Sequence, residues 1–453
     1  MNVEWQRKSA SCITSPTEPR SGSEINSEHW AEQALRRVAQ SEKFARDLRY
    51  ALSDKELTDV FKILNIFHVP GRSLKVLGCF YQDNRQAAIV LTKFYSHADY
   101  FTEAEQAKAV AKNPGNIGLL PDYSAIVYLF PEDPGLLGLA NMLDLKKVNK
   151  ILGKPAHAFT EASWKMMSYR EGKRCTLRYQ FAGDTEAYIG KMQNSIETVK
   201  SHDRLIWLWQ HPDRRFNMPR PIAYDPDLGA RWETFCPGIS MEDALGRNKL
   251  EPLVSLITQQ LINLHGFAIP GLPAVTADKI LTRIERKILR WMYFMVPESA
   301  LRAEAIYETL QQTIGWTENC PDVTLHGDFH IANFLLEDDN LVFIDLDDLS
   351  TGNPSIDLAL FASRLLLRNL HHGDRLAETA QIISTLPELY SDLSGRPIRP
   401  ETFAWFMAAL LIGRQIKICM REDVPEMNKM IDQLLDWAQE CLNKSRFTGR
   451  ITA

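Results

Sequence analysis

Leu325-His326-Gly327-Asp328-Phe329-His330-Ile331-Ala332-Asn333, followed by Val342-Phe343-Ile344-Asp345-Leu346-Asp347-Asp348, is the stretch on which the reading of this chain turns. Two short apolar runs here each deliver carboxylates at their ends. Asp328 stands five positions before Asn333, and Asp345 lies twelve beyond it. A loop followed by a tight hairpin would gather Asp328, Asn333 and Asp345 around one point. An Asn amide oxygen beside a carboxylate is oxygen-donor chemistry suited to a hard ion such as Mg²⁺. A further carboxylate held off that ion can accept a proton from a hydroxyl nucleophile. Metal ligands from an Asn and a separate Asp, with a positioning Asp nearby, are the parts needed for phosphoryl transfer. Taken alone, Asp345, Asp347 and Asp348 would read as a solvated turn after a buried strand.

Outward from this block, helices dominate from Glu251 onward. Upstream, Trp164–Tyr169, Cys175–Phe181 and Glu186–Met192 read as three strands, Asn194–Gln210 as a helix and Arg231–Phe235 as another short strand. Before them the pattern predicts helices over His29–Arg49 and Lys55–Phe67, and a turn at Pro70-Gly71. A hairpin follows from Leu74–Tyr81 and Ala87–Tyr95 around Gln82-Asp83-Asn84-Arg85. A helix near Thr102–Lys112, a strand near Ala125–Phe130 and a helix near Leu137–Leu152 complete this part. The expected class is α+β. Residues 1–27 are expected to be a disordered tail and 28–153 a small α+β module, with a boundary near Gly153-Lys154-Pro155. A strand-rich lobe (159–236) and a larger helical lobe with one embedded hairpin (237–446) come after it.

His326-Gly327-Asp328 through Asn333, and Ile344-Asp345-Leu346-Asp347, resemble the H-G-D-x-x-x-x-N and I-D-x-[DE] segments of the aminoglycoside phosphotransferase and choline kinase family, a branch of the protein-kinase-like fold. Asp357-Leu358-Ala359 matches the start of that family's next helix. The resemblance implies a two-lobed kinase-like fold with a small β-rich nucleotide lobe. It also implies that Asp328 is the catalytic base, that His326 braces the loop, that Asn333 and Asp345 (with Asp347 beside them) hold the metal, and that Asp357 is structural. Gly172, Lys173 and Arg174 fall in the first hairpin of the nucleotide lobe. Tyr188-Ile189-Gly190-Lys191 looks like the strand bearing the phosphate-binding Lys, a point charge for phosphate oxygens. Trp232-Glu233-Thr234-Phe235-Cys236-Pro237-Gly238 resembles the hinge, so Glu233 and Phe235 would lie along the adenine edge. Glu197, in the first turn of the next helix, is the acid expected to pair with Lys191. ATP and Mg²⁺ are the implied cofactors, and a small-molecule hydroxyl compound the implied acceptor.

Composition narrows the rest. The 453 residues are 45% hydrophobic and 24% charged, with 52 basic against 57 acidic side chains. Such a chain can bury a large core and has no basic excess, so no nucleic-acid partner is expected. Seven scattered cysteines without a C-x-x-C pair read as reduced thiols in a cytoplasmic protein. Ala404–Gly413, an apolar run in the C-terminal part, is short of the ~20 residues a spanning helix needs, so no membrane partner is expected. His330 reads as structural, Trp207 and Trp209 as core. Leu264-His265-Gly266 and His371-His372-Gly373-Asp374 imitate the motif but lack the downstream Asn. Two other classes fit parts of the pattern: a nucleotide-binding pseudo-kinase or scaffold, and a metal-dependent glycosyltransferase using Asp345-Leu346-Asp347 as D-x-D. An aminoglycoside acceptor would call for a dense acidic surface, and no concentrated acidic run occurs in the C-terminal helices. Acceptor identity and oligomeric state stay open.

Overall fold

Alternation of apolar side chains with period two builds most of the first half of the chain. The structure is a computed structural model that describes residues 30–31, 34–38, 41–53, 57, 60–69, 73–82, 85–111, 113–155, 157–193, 197–245, 249–318, 320–337, 340–373, 375–420 and 426–447. It divides into two compact units: 1–202 with 221–235, and 203–220 with 236–453. The expected tail and the tips of the Pro70-Gly71 and Asp83-Asn84 turns lie outside the described residues.

In the first unit, β1 (Val60–Val69), β2 (Ser73–Gln82), β3 (Arg85–Phe94), β4 (Ile117–Leu120) and β5 (Ala125–Leu129) form an antiparallel sheet in the order β1-β2-β3-β5-β4. Its two faces serve two cores. Leu74, Val76, Val90, Phe94 and Val127 pack with Phe44 and Leu48 of the helix Ser41–Leu52. Leu77, Cys79, Ile89, Leu91, Ile126 and Tyr128 face the other way. β1 corrects the helix expected over Lys55–Phe67. Its sequence is rich in β-branched and aromatic residues, and exposed and half-buried positions alternate along it. The helix expected over Leu137–Leu152 is two short ones, Leu139–Leu143 and Leu145–Ile151. Asp144 separates them and caps the second by accepting from the Lys146 and Lys147 amides.

A second antiparallel sheet has the order β6-β7-β8-β10-β9, from β6 (Ser163–Arg170), β7 (Arg174–Gln180), β8 (Tyr188–Gln193), β9 (Pro221–Asp225) and β10 (Ala230–Thr234). β9 was not legible in the sequence, because every one of its residues is only half-buried and no alternation marks it. Met166, Cys175, Leu177, Tyr179, Met192 and Trp232 of this sheet join the cluster that holds Leu77, Ile126 and Met142. The boundary expected near Gly153 is therefore not a break in the core. The Tyr179 hydroxyl also donates to Met142 O at 2.8 Å. Gly190 makes the crossing possible: a Cβ there would lie 2.8 Å from both Trp232 Nε1 and Tyr179 Cε2.

The second unit is mainly helical. Its core draws on the helices Leu250–His265, Pro297–Gln312, Ser355–His372, Leu376–Ser394, Pro400–Leu410 and Met427–Lys444. Two small three-stranded sheets are set into it. One is β11 (Ile239–Ser240), β14 (Phe334–Glu337) and β15 (Asn340–Phe343); the other is β12 (Ala274–Val275), β16 (Ser350–Gly352) and β13 (Val323–Leu325). Pro400–Cys419 is, among the described residues, the one stretch long and apolar enough to cross a membrane, yet 83% of its most apolar window is buried inside the protein. It is a core helix. With mixed helices and antiparallel sheets, the class is α+β, as expected.

Candidate active site

The loop from His326 to Asn333 leaves the buried strand β13 and is gripped from behind by one carboxylate. Asp357, fully buried, accepts the His326 amide on Oδ2 at 2.7 Å and the Gly327 amide on Oδ1 at 3.1 Å. The His265 Nε2 lies 3.3 Å from the same Oδ2, and its Nδ1 lies 2.8 Å from the Tyr390 hydroxyl. The imitation motif Leu264-His265-Gly266 thus supports the loop from behind. Gly327 has φ +80, and a Cβ there would stand 2.0 Å from Asp348 O, so only glycine lets the two turns approach.

His326 is fully buried, its ring ringed by Phe329, Phe334 and Phe343 at centroid distances of 5.7, 6.4 and 6.0 Å. Burial lowers its pKa, against the pull of Asp357 and Asp328, so the imidazole is held neutral. It fills space behind the loop. Asp328 is partly exposed. Arg414 Nη1 lies 3.3 Å from its Oδ1 and His330 Nε2 lies 3.3 Å from its Oδ2. Burial raises the Asp328 pKa, but His330 and then Arg414 outweigh it and hold the carboxyl well below the usual range.

Asn333 is buried and its Nδ2 donates to Asp328 O at 2.8 Å. With the amide nitrogen so occupied, Oδ1 is the end left to serve as a donor atom. The Ile344 amide donates to Asn333 O at 2.9 Å, and β14 pairs antiparallel with β15. Those bonds bring the start of the Asp345 turn beside Asn333. Asp345 itself takes left-handed backbone (φ 61), uncommon outside glycine and often found at functional sites. Asp347 follows in the short helical turn Leu346–Asp348, half-buried. Among the described residues no cluster of three or more His, Cys, Asp or Glu side chains could hold a metal. The residues present fit Mg²⁺ in another way, since it takes one or two carboxylates and completes its shell with water and phosphate oxygens.

In the first unit, β8 and β10 set Lys191 directly beside Arg231. Lys191 Nζ lies 2.9 Å from Glu233 Oε1, and Arg231 Nη1 lies 3.2 Å from Glu233 Oε2. One acid on Lys191 is therefore Glu233, from the neighbouring strand. The side chain of Glu197 lies outside the described residues. Phe235 is placed differently from an adenine-facing donor: its amide donates to Ala187 O at 2.8 Å, and Arg178 lies 4.0 Å over its ring.

Gly172, with φ +67, heads the β6–β7 turn, and Lys173 and Arg174 follow it half-buried. Its amide does not face an open anion position. It donates to Asp133 Oδ2 at 2.7 Å, which the buried Tyr169 hydroxyl also donates to at 2.7 Å. Asp133 Oδ1 accepts the Gly135 amide at 2.8 Å. Gly135 presses on the turn so closely that a Cβ would be 2.4 Å from Gly172 Cα. The sequence reading missed Asp133, Arg231 and Arg414. For Arg414 a signal exists in hindsight: it is a lone charge closing the apolar run from Phe403. Asp133 sits in Pro131-Glu132-Asp133-Pro134-Gly135, which reads as an ordinary turn.

Residues 177–377 match the phosphotransferase enzyme family. That stretch, less than half of the chain, is similar to this family. It contains Lys191, Glu233, Asp328, Asn333, Asp345 and Asp357. No curated protein matches the chain. Among solved structures it is similar to a choline kinase from Streptococcus pneumoniae (TM-score 0.45, 14% identity, covering 67% of this chain and 99% of that one). It is also similar to a Plasmodium vivax ethanolamine kinase (TM-score 0.45, 12% identity, 68% and 90%). A third is an amicoumacin kinase in complex with AMP-PNP, Ca²⁺ and Ami (TM-score 0.45, 13% identity, 62% and 89%).

Proposed function

We propose that this chain is an ATP- and Mg²⁺-dependent small-molecule kinase that moves the γ-phosphoryl group onto a hydroxyl of a metabolite. The observation that carries the reading is the fixed loop in which Asp328 and Asn333 share a hydrogen bond while buried Asp357 holds the His326 and Gly327 amides. Asn333 Oδ1 and the Asp345 carboxylate, with Asp347 next in line, would hold the metal, whose charge offsets that on the phosphates. Lys191, steadied by Glu233, would neutralise phosphate oxygens, and Lys173 and Arg174 offer further charge at the β6–β7 turn.

Asp328 orients the acceptor hydroxyl. As the new O–P bond forms and the bond from Pγ to the bridging oxygen breaks, the hydroxyl proton passes to Asp328 and ADP leaves. A carboxylate with a depressed pKa is a weak base, so its contribution is chiefly orientation, which fits a reaction that depends on positioning and electrostatics. The six described cysteines are free thiols, which supports a cytoplasmic setting.

The test is ADP release from MgATP across a panel of hydroxyl acceptors, with Asp328→Asn alongside. Turnover by the wild type and loss of about 10³-fold in the variant are expected. Near wild-type turnover by the variant refutes the assignment. A melting shift with MgATP but no ADP release would favour the pseudo-kinase instead. Manganese-dependent turnover of a nucleotide sugar would favour the D-x-D glycosyltransferase.

A further inference from the structure

The two sheets of the first unit share one plan. In each, five antiparallel strands lie in the order first, second, third, fifth, fourth. A 14-residue helix, His97–Val110 in one case and Glu197–Gln210 in the other, stands between the third strand and the fourth. The register agrees residue for residue. Lys93 is flanked by Lys75 on one side and Ile126 on the other; Lys191 is flanked in the same way by Thr176 and Arg231. Pro121-Asp122-Tyr123-Ser124 joins the last two strands of one sheet, and Pro226-Asp227-Leu228-Gly229 those of the other. Ser124 and Gly229, which end these corners, both take left-handed backbone, with φ 49 and 61. Past the fifth strand, the Phe130 amide donates to Ile89 O at 2.9 Å, as the Phe235 amide does to Ala187 O at 2.8 Å. One plan has been built twice.

The copies differ on the face that carries the lysine. Arg178, Arg231 and Glu233 share that face with Lys191, and the equivalent places around Lys93 hold Leu77, Ile126 and Tyr128. These three are buried in a cluster with Met166, Leu177 and Trp232, which lie on the opposite face of the second sheet. The back of the second copy therefore covers the face on which the first would receive a ligand. Lys93 keeps its place, but with Tyr128 where Lys191 has its acid. Its Nζ lies 5.3 Å over the Tyr95 ring, whereas Lys191 Nζ meets Glu233 at 2.9 Å.

What the first copy delivers is Asp133, three residues past Phe130. Its Oδ2 accepts the Gly172 amide and the Tyr169 hydroxyl, and its Oδ1 accepts the Gly135 amide. Gly172 heads the turn into β7, where Arg174 and Thr176 share the Lys191 face and Thr176 stands directly opposite Lys191. A loose turn that must order around a ligand loses affinity to the entropy of ordering; a turn fixed beforehand does not. Resting on the kinase reading above, we propose that the first sheet is a copy of the nucleotide lobe that holds no nucleotide, and that through Asp133 it presets the β6–β7 turn for the nucleotide of the second copy. Asp133 is a positioning residue and touches no ligand itself.

The experiment titrates MgATP into the wild type and three variants by calorimetry, reading Kd and the number bound per chain, with melting curves alongside. The wild type binds one MgATP. Asp133→Asn cannot accept from all three donors, and its Kd rises about tenfold, the cost of ordering one or two side chains on binding. Tyr169→Phe takes a donor from Asp133 but leaves Gly172 held, so its melting temperature falls while its Kd stays that of the wild type. Lys93→Met also leaves Kd unchanged. A Kd unchanged or tightened in Asp133→Asn, or raised equally in Tyr169→Phe, makes the carboxylate merely structural and overturns the inference. So does a second MgATP per chain, or a Kd that Lys93→Met alters. Should Asp133→Asn not fold, hydrogen exchange of the wild type over Tyr169–Arg174 decides. Protection already present without nucleotide supports the inference, and a turn protected only once MgATP is added overturns it. Absence of MgATP binding by the wild type would instead remove the kinase reading itself.

Discussion

The carboxylate of Asp133 closes over the backbone amide of Gly172, 2.7 Å away, and also accepts from the Tyr169 hydroxyl and the Gly135 amide. A turn that would otherwise offer its amide to an anion is thereby pinned by a side chain that is itself 2% exposed. The segment around Asp133 is thus built into the β6–β7 turn, and both stand ahead of the phosphotransferase match. Asp133→Ala leaves the buried Tyr169 hydroxyl and two half-buried amides without their acceptor and should lower stability by about 3 kcal/mol, measured by urea unfolding. Loss below about 0.5 kcal/mol would show that the turn holds without it.

Lys191, Arg231 and Glu233 form a nearly buried group, the Lys191 and Glu233 side chains being only 12% and 9% exposed. Removing the acid takes a buried carboxylate partner from both cations, so Glu233→Ala should lower stability by about 1.5–3 kcal/mol. Lys191→Met keeps the volume and removes a charge, leaving Glu233 paired with Arg231. Its stability should change by less than about 1.5 kcal/mol while ATP turnover falls about 10²-fold. Equal losses of stability and turnover in both variants would point to a purely structural lysine.

Gly327 has no room for a side chain. Gly327→Ala would drive a methyl into Asp348 O, 2.0 Å away, at a backbone conformation that L-residues resist. Turnover should drop by two orders of magnitude or more, because a displacement of about 1 Å at a reacting centre has that effect. An active Gly327→Ala enzyme would mean that the loop can shift without consequence.

Two histidines, His265 and His326, are fully buried, and burial lowers the pKa of each. The unfolded chain binds protons near pH 6.5 that the folded chain refuses. Stability from these groups is therefore complete above about pH 6.5 and declines as pH falls below it, by up to about 1.4 kcal/mol per pH unit for each histidine. Urea midpoints measured at pH 7.5 and 5.5 should show the decline, and His326→Leu should lessen it. An unchanged slope in the variant would mean that His326 accepts a proton when folded. Asp328 acts at a lower range: its pairing stabilises above about pH 4 and is lost only under stronger acid.

The spacing of His326, Asp328, Asn333 and Asp345, and the period-two runs that became β2, β3 and β6 to β8, were decided along the chain itself. Short-range backbone geometry and side-chain alternation are local properties, so a sequence carries them openly. β1 escaped because a short run of mixed polar and apolar residues fits a helix as well as a strand until a partner strand is present. Which acid meets Lys191, which carboxylate takes the Gly172 amide and which arginine reaches Asp328 were settled only in three dimensions. Glu233, Asp133 and Arg414 lie far along the chain from the residues they touch, and strand register, a shared core and helix packing bring them there. Burial then gives those meetings their force, since a charge shielded from water must find its partner nearby.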